Sequence, residues 1–209
     1  MRRSTLAVVL AAGWCGLVPA ADPPKVVAEG NWSKAVADKR SRAVRGRLVL
    51  AERPRTDDRR EVAVYVELQE ASDSIGDTLR VFCDLGKNDF RPEYKGGLWC
   101  ELTDKDGKAV KASGFAFSGA VPKSEWVSLP TDGTIRLRAT PFGIHREKAT
   151  AVCPDLGTLW EIADGDAAEY KLSGTFTVDP PADVKPPADG HVWRGTLDLP
   201  ALTLTGRKK

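Results

Sequence analysis

The sequence predicts an all-β protein, an antiparallel sandwich or barrel, on three observations. Residues 62–68 alternate with period two, as a half-buried strand does. Turn-forming residues recur at intervals of roughly 8–15 residues, which is the rhythm of antiparallel β architectures. No window between residues 40 and 209 sustains helical spacing over three turns. Short strands with alternating faces suit sheets that have one face on the core and the other in water.

The first half of the chain supplies four strand candidates and one hairpin. A charged turn at residues 53–60 separates the first two candidates, and the sequence D-K-D-G-K at residues 104–108 predicts the turn of a hairpin over residues 98–117. Aspartate and glycine tolerate the backbone angles that such turns demand. The strand candidates are residues 46–50, 62–68, 79–83 and 98–102, with extended character resuming at 110–117.

The second half continues the pattern to the end of the chain. A proline-rich stretch at residues 180–187 separates the last two candidates and predicts a long exposed connector in polyproline conformation. The further strand candidates are residues 126–129, 135–139, 159–162, 170–178 and 193–204.

The N-terminus has the three parts of a secretory signal peptide. Arg2 and Arg3 form a basic start, residues 5–13 are apolar and uncharged, and residues 18–20 supply the small residues of an A-x-A-like cleavage site. We therefore expect a signal peptide helix over residues 1–20, removed on export to the periplasm or the exterior, where disulfides are permitted. The apolar run is shorter than the roughly 20 residues that span a membrane. A lipid anchor at Cys15 is disfavoured, because bulky Trp14 precedes it where a small residue is expected.

The rest of the chain predicts a single domain. Residues 21–42 are polar and poorly patterned, which indicates a linker or lead-in; residues 43–205 form the β domain, and residues 206–209 form a basic tail. Without Arg2 and Arg3 the chain has as many acidic as basic residues, so no bulk charge favours nucleic acid or an anionic membrane. The basic cluster at residues 39–47 is interpreted as a solvated strand edge or lead-in.

Three cysteines remain after cleavage: Cys83, Cys100 and Cys153. Cys83 and Cys100 flank a loop between two strand candidates, so they are the candidate disulfide pair, although sequence alone cannot fix connectivity. Their spacing is not that of a zinc site. A thiol hydrolase built on Cys153 and His145 has no supporting local motif.

Further catalytic and metal-binding patterns are absent from the sequence. Ser118 does not lie in a G-x-S-x-G elbow, and His191 has no nucleophile nearby in sequence. The carboxylates of Asp104 and Asp106 resemble the start of a calcium loop, but position twelve of that loop would be Phe115 rather than glutamate. The sequence therefore predicts no enzyme, no cofactor and no metal site.

Four tryptophans lie in or at the start of strand candidates: Trp99, Trp126, Trp160 and Trp193. A row of tryptophans on one sheet face can stack on sugar rings. The chain has only three Tyr and six Phe, so a core of this size needs these residues, and we expect them to be structural aromatics of the core.

Residues 62–111 carry a family resemblance. The runs V-Y-V-E-L-Q-E-A-S-D and C-E-L-T-D-K-D-G-K-A-V, with the later W-R-G-T-L-D-L-P, resemble secreted bacterial immunoglobulin-like β-sandwich proteins of unknown function. They are more distantly similar to the intracellular proteinase inhibitor domain, from which this chain departs at residues 70–72 and by its long C-terminal half. The resemblance implies an immunoglobulin-like fold and transfers no functional residue.

Together these observations lead to one expected function. The chain is expected to be a secreted, non-catalytic β-sandwich module with a structural or protein-interaction role, its partner an extracellular or envelope protein. The alternative is an extracellular binding module for a polysaccharide or a protease, and an enzyme comes third.

Overall fold

The computed structural model describes residues 25–53, 61–72, 77–83, 97–111, 114–115, 125–131, 133–144, 148–153, 158–163 and 169–205. Within these ranges the chain is all-β and contains no helix, as the sequence predicts. The signal peptide, Cys15, His145 and the basic tail lie outside the described residues. The strands are β1 (Lys25–Glu29), β2 (Val36–Ala37), β3 (Ala43–Arg53), β4 (Glu61–Glu70), β5 (Leu79–Cys83), β6 (Gly97–Thr103), β7 (Gly114–Phe115), β8 (Glu125–Leu129), β9 (Thr134–Ile144), β10 (Lys148–Cys153), β11 (Thr158–Ala163), β12 (Glu169–Val178), β13 (His191–Val192) and β14 (Gly195–Thr205).

One large antiparallel sheet has the strand order β1-β3-β4-β9-β10-β11-β7, and β2 pairs with the edge of β3. Its centre is formed by the long strands β3, β4 and β9, with Leu48 opposite Val66 and Val66 opposite Leu137. The register of β3 with β4 is continuous, and that of β4 with β9 shifts between Val64 and Tyr65. Side chains at matched positions of neighbouring strands therefore lie on the same face of the sheet.

Two three-stranded sheets complete the described fold, with the orders β14-β12-β6 and β13-β5-β8. Their pairings are antiparallel except for β13 and β5, which run parallel with His191 opposite Leu79. Parallel neighbours need a long connection, and more than a hundred residues separate these two strands.

All three sheets contribute to one hydrophobic core. The predicted apolar face of residues 62–68 is buried at Val64, Val66 and Leu68, while the side chain of Val62 is not described. The largest fully buried side chains of the other two sheets include Phe176, Leu98 and Leu79. The opposite face of β4 is also covered, because Tyr65 and Glu67 are buried there, so β4 is not the half-exposed strand that its alternation predicts.

The predicted strands agree with the structure at most positions, and the lead-in does not. Residues 25–29 and 36–37, assigned to a linker or lead-in, form β1 and β2 on the edge of β3. In both strands exposed side chains alternate with half-buried ones, as in an edge strand that faces water on one side. The loop between them is also attached, because Gly30 N–H donates to Leu48 O at 2.9 Å and Ser33 N–H donates to Gly46 O at 2.8 Å.

The predicted hairpin over residues 98–117 is only partly correct. The turn forms as expected, with Asp104 Oδ1 accepting hydrogen bonds from Asp106 N–H at 3.0 Å and Lys108 N–H at 2.9 Å. The Asp104 carboxylate therefore serves the turn. Beyond Val110 the chain leaves β6, and β7 pairs with β11 of the large sheet. Strand β10 has no counterpart among the predicted strands.

Gly190 sets the entry to β13, because its φ of 91° lies in the left-handed region that favours glycine. A Cβ atom at this position would lie 2.4 Å from Thr78 O, the same oxygen that accepts the His191 N–H at 2.8 Å. The parallel pairing of β13 with β5 thus brings the backbone at Gly190 closer to Thr78 O than a residue with a Cβ atom could come.

We predict that Gly190→Ala lowers the free energy of unfolding by about 2–4 kcal/mol, since it adds a steric clash to the cost of positive φ. Gly107→Ala is the matched control: φ is 79° there, but nothing lies within 4 Å of the added Cβ, and the expected cost is about 1–2 kcal/mol. Urea denaturation followed by tryptophan fluorescence measures both. Equal losses would show that the approach to Thr78 costs nothing.

Candidate binding face on the large sheet

The candidate disulfide between Cys83 and Cys100 does not form. Cys83 ends β5, where it is buried and its Sγ lies 3.8 Å from Val81 O. Cys100 lies on β6, which belongs to the other three-stranded sheet. The sequence placed them on neighbouring strands, but the two strands pair with different partners, and this separates the thiols.

The four candidate core tryptophans have different environments. Trp193 and Trp160 are buried, at 0% and 5% exposure, and Trp126 is partly buried against Phe82 with ring centroids 5.1 Å apart. Each of their indole N–H groups donates to a backbone carbonyl: Trp193 to Val36, Trp160 to Val110 and Trp126 to Lys185. These three are structural, since a buried indole needs both packing and a hydrogen-bond acceptor.

Trp99 departs from the expectation of a core residue. It is 40% exposed on the outer face of β6, with Thr175 as its cross-strand neighbour on β12. The neighbouring Leu98 and Leu102 point inward and are buried. Trp99 faces outward because it differs from them by an odd number of positions along the strand. A row of exposed tryptophans therefore does not exist among these four residues.

His191 lies beside a carboxylate. Its Nε2 is hydrogen-bonded to Asp38 Oδ2, and both side chains are almost entirely buried. Asp38 Oδ1 accepts the N–H groups of Arg40 at 2.9 Å and Arg42 at 3.1 Å, so one carboxylate closes the β2–β3 turn and binds β13. Burial alone would raise the pKa of Asp38, but the hydrogen bonds from His191 and the two N–H groups, together with the His191 charge, hold that pKa below 3.8.

Arg42, the last residue that Asp38 binds in this turn, forms a buried ion pair with Glu70 of β4. Arg42 Nε donates to Glu70 Oε1 at 2.6 Å, and Arg42 Nη1 donates to Asp77 O at 3.0 Å. Ser72 Oγ also donates to Glu70 Oε1, at 2.6 Å. Among the described contacts His191 bonds Asp38 and no serine, threonine or cysteine side chain. These contacts join distant segments and place no nucleophile beside the histidine.

The outer face of the large sheet carries a second polar network, which we call the arginine–tryptophan face. It consists of Trp32, Arg45, Arg47, Glu67, Gln69 and Arg136. The pairing of β3, β4 and β9 places Arg45 opposite Gln69, and Glu67 between Arg47 and Arg136. Strand register therefore assembles five of the six residues, and the loop between β1 and β2 adds Trp32.

Glu67 is the centre of the face. Its Oε2 accepts from Arg47 Nε at 2.5 Å and its Oε1 accepts from Arg136 Nη2 at 2.9 Å, with the carboxylate side chain only 4% exposed. Arg47 Nη1 reaches a second carboxylate, Glu29 of β1, at 2.6 Å. Both oxygens of the buried carboxylate are thus satisfied by guanidinium groups, as a buried charge requires.

Trp32 lies against two of the guanidinium groups. The Cζ atom of Arg47 lies 4.6 Å from the indole centroid and that of Arg45 lies 5.0 Å from it, both within the range of cation–π attraction. The adjacent Ser33 fixes the loop, since its Oγ accepts the Gly46 N–H at 3.0 Å. The tryptophan is therefore held by its own loop on one side and by charged side chains on the other.

Sequence reasoning missed this face. The basic cluster at residues 39–47 was interpreted as solvated, but Arg42 is buried and Arg47 is paired with two carboxylates. Trp32 lies in the segment assigned to the lead-in. A usable indication was present: arginines alternate at 45 and 47, and the next strand carries Glu67 and Gln69 with the same period.

Comparison with family models, curated proteins and solved structures gave no match. Within the described ranges no helix is long and apolar enough to cross a membrane. The same ranges contain no group of three or more His, Cys, Asp or Glu residues placed to hold a metal ion.

We predict that Asp38→Asn lowers the free energy of unfolding by about 1–2 kcal/mol at neutral pH, because the bond to His191 loses its charge. A carboxyl whose pKa is lowered by folding stabilises the fold above its ordinary pKa, and this stabilisation is lost as pH falls through the folded value. The difference between wild type and variant should therefore shrink below pH 3.8.

Denaturant titrations at pH 7, 5, 4 and 3 measure this difference. Asp179→Asn is the control, because Asp179 forms an exposed pair with Arg194 and its removal should change stability by less than about 0.5 kcal/mol. A difference for Asp38→Asn that stays constant down to pH 3 would contradict the assignment of the acid-sensitive bond to Asp38.

Proposed function

We propose that this protein is a secreted, non-catalytic β-sandwich module that binds another extracellular or envelope protein through its arginine–tryptophan face. The observation that carries this proposal is the packing of Trp32 against Arg45 and Arg47 over the buried Glu67 carboxylate. Tryptophan and arginine are the residues most enriched at the energetic centres of protein–protein interfaces.

The order of this face favours binding. Long arginine side chains on a free surface lose conformational freedom when a partner immobilises them, at about 0.5–1.5 kcal/mol each. Here Arg47 is held by Glu29 and Glu67, and Arg45 is held by Gln69. Most of that loss has already occurred in the unbound protein, so a partner would gain more from each contact.

The shared hydrophobic core supports the sandwich part of this proposal. The large sheet turns the Leu48, Val66 and Leu68 side chains towards a core shared with both three-stranded sheets. This is what two packed layers require. The type rests on the resemblance of residues 62–111 and the sandwich on the shared core. A core of this size does not depend on a disulfide between Cys83 and Cys100.

Polysaccharide binding is the second candidate, and one observation favours it. Trp99 is exposed at 40%, and its strand neighbours across the sheet are Thr175 and then Asp198, which offer a hydroxyl and a carboxylate to a sugar. The exposed indole stands alone among the four strand tryptophans, so a stacking row is lacking. The arginine–tryptophan face is more extensive and better ordered.

We predict that Trp32→Ala abolishes retention of a protein from the native extracellular or periplasmic fraction on the immobilised mature chain. The substitution removes the aromatic centre of the proposed interface, the indole against which Arg45 and Arg47 pack. Trp99→Ala is the matched control, an exposed tryptophan on a different sheet, and it should retain the same protein. Mass spectrometry of the eluates measures retention.

Circular dichroism and thermal unfolding of both variants show whether the fold is intact. A protein retained equally by wild type and Trp32→Ala would refute the proposed face. Loss only with Trp99→Ala, together with binding to insoluble polysaccharide, would replace it with the second candidate.

We predict that the mature protein begins at Ala21 or Asp22, because residues 18–20 supply the small residues of the cleavage site. Intact-mass measurement of protein purified from its native source tests this. An acylated N-terminal Cys15 would make the module lipid-anchored, and an uncleaved Met1 in a cytoplasmic fraction would contradict secretion.

A further inference from the structure

Arg45 differs chemically from the other two guanidinium groups of the arginine–tryptophan face. Arg47 and Arg136 each form an ion pair with Glu67. Arg45 donates from Nε at 2.9 Å and from Nη2 at 2.6 Å to the Oε1 atom of Gln69, which is a neutral amide. Among the residues that the structure describes, no carboxylate forms an ion pair with Arg45. Gln69 therefore holds this charge in place without neutralising it.

The geometry leaves one edge of the Arg45 guanidinium available. Nε and Nη2 share a single acceptor, and Nη1 is neither bonded within the described part of the chain nor among its buried polar atoms. The planar group is also stacked over Trp32. An ordered guanidinium with a free edge is suited to a planar, bidentate acceptor such as a carboxylate.

We propose that the partner docks an acidic side chain, aspartate or glutamate of a protein segment, against Arg45 and over the edge of Trp32. This inference rests on the proposed function and names the chemistry of the partner at that site. Among the described side chains, the face carries three guanidinium groups and the Glu67 carboxylate, and Glu29 of β1 supplies a second carboxylate to Arg47, which leaves an excess of one positive charge at Arg45.

The same charge distribution argues against a polyanion. A densely sulfated or phosphorylated chain would bring several negative charges close to Glu29, whose side chain is 41% exposed beside Arg47. The Glu29 carboxylate would repel these charges. One carboxylate per face fits the single unneutralised cation.

Gln69→Glu tests the inference, because the two side chains have the same shape. The new carboxylate would pair with Arg45 within the chain and occupy the positive charge that the partner needs. Thr203→Glu is the matched control: it adds the same negative charge to an exposed position of β14, on a different sheet. Neither variant removes a core side chain, and unfolding curves check that both fold.

The probe is a capped tripeptide with one side-chain carboxylate, acetyl-Gly-Glu-Gly-amide, added to the isotope-labelled mature chain at low ionic strength while the side-chain N–H resonances of Arg45 are followed by NMR. We expect these resonances to shift in wild type and in Thr203→Glu. Binding should weaken by about tenfold or more in Gln69→Glu, the scale of one lost charge-assisted bidentate contact. Unmoved Arg45 resonances in wild type, or equal binding by Gln69→Glu, would overturn the inference.

Two further measurements separate the possible failures. Dextran sulfate binding more tightly than the single-glutamate peptide, with Arg47 and Arg136 shifting as much as Arg45, would make the face a general polyanion site and overturn the single-carboxylate assignment. If Gln69→Glu still retains the partner from the native fraction and Trp32→Ala does not, the acidic contact is refuted and the proposed function stands. Retention by both variants would refute the proposed function itself.

Discussion

The buried carboxylate of Glu67 is the interaction on which the outer face of the large sheet depends. It lies on β4, between β3 and β9, and its two oxygens bind Arg47 and Arg136. Removing either arginine would leave one of these two oxygens without its partner on a side chain that is 4% exposed, and an unsatisfied buried acceptor costs about 1–3 kcal/mol. The three central strands are therefore tied together on the polar face as well as by their backbone ladder.

The N-terminal segment, residues 25–38, makes contacts on both faces of β3. Trp32 packs over the arginines of the outer face, while Val36 accepts the indole N–H of Trp193, a core residue at 0% exposure. Asp38 then binds His191, which is 153 positions away. The contacts with Trp193 and His191 have a high sequence separation, so they form only after both ends of the chain have come together.

The alternation of apolar and polar residues predicted the strands that have one buried apolar face. It did not reveal the short edge strands, whose few residues show no clear alternation. Strands β3, β4 and β12 were found because an apolar residue recurs at every second position. β1 was missed because it is a short edge strand whose alternate side chains face water. The tryptophans look alike in sequence, but their burial depends on strand parity and on the partner sheet, which composition does not specify. The same dependence separated Cys83 from Cys100.

The binding face could be predicted only in part, because its chemistry depends on register. The alternation of Arg45 and Arg47 with Glu67 and Gln69 is visible in the sequence, but a slip of one residue would send these side chains to the core face. Once the register is fixed, the difference between the two arginines follows from one pair of neighbours. Arg47 meets a carboxylate and Arg45 meets an amide of nearly equal size. Both guanidinium groups lie within 5.0 Å of the Trp32 indole centroid, but among the described residues an opposing carboxylate is bonded to Arg47 and not to Arg45, and this difference favours recognition of a partner's carboxylate at Arg45.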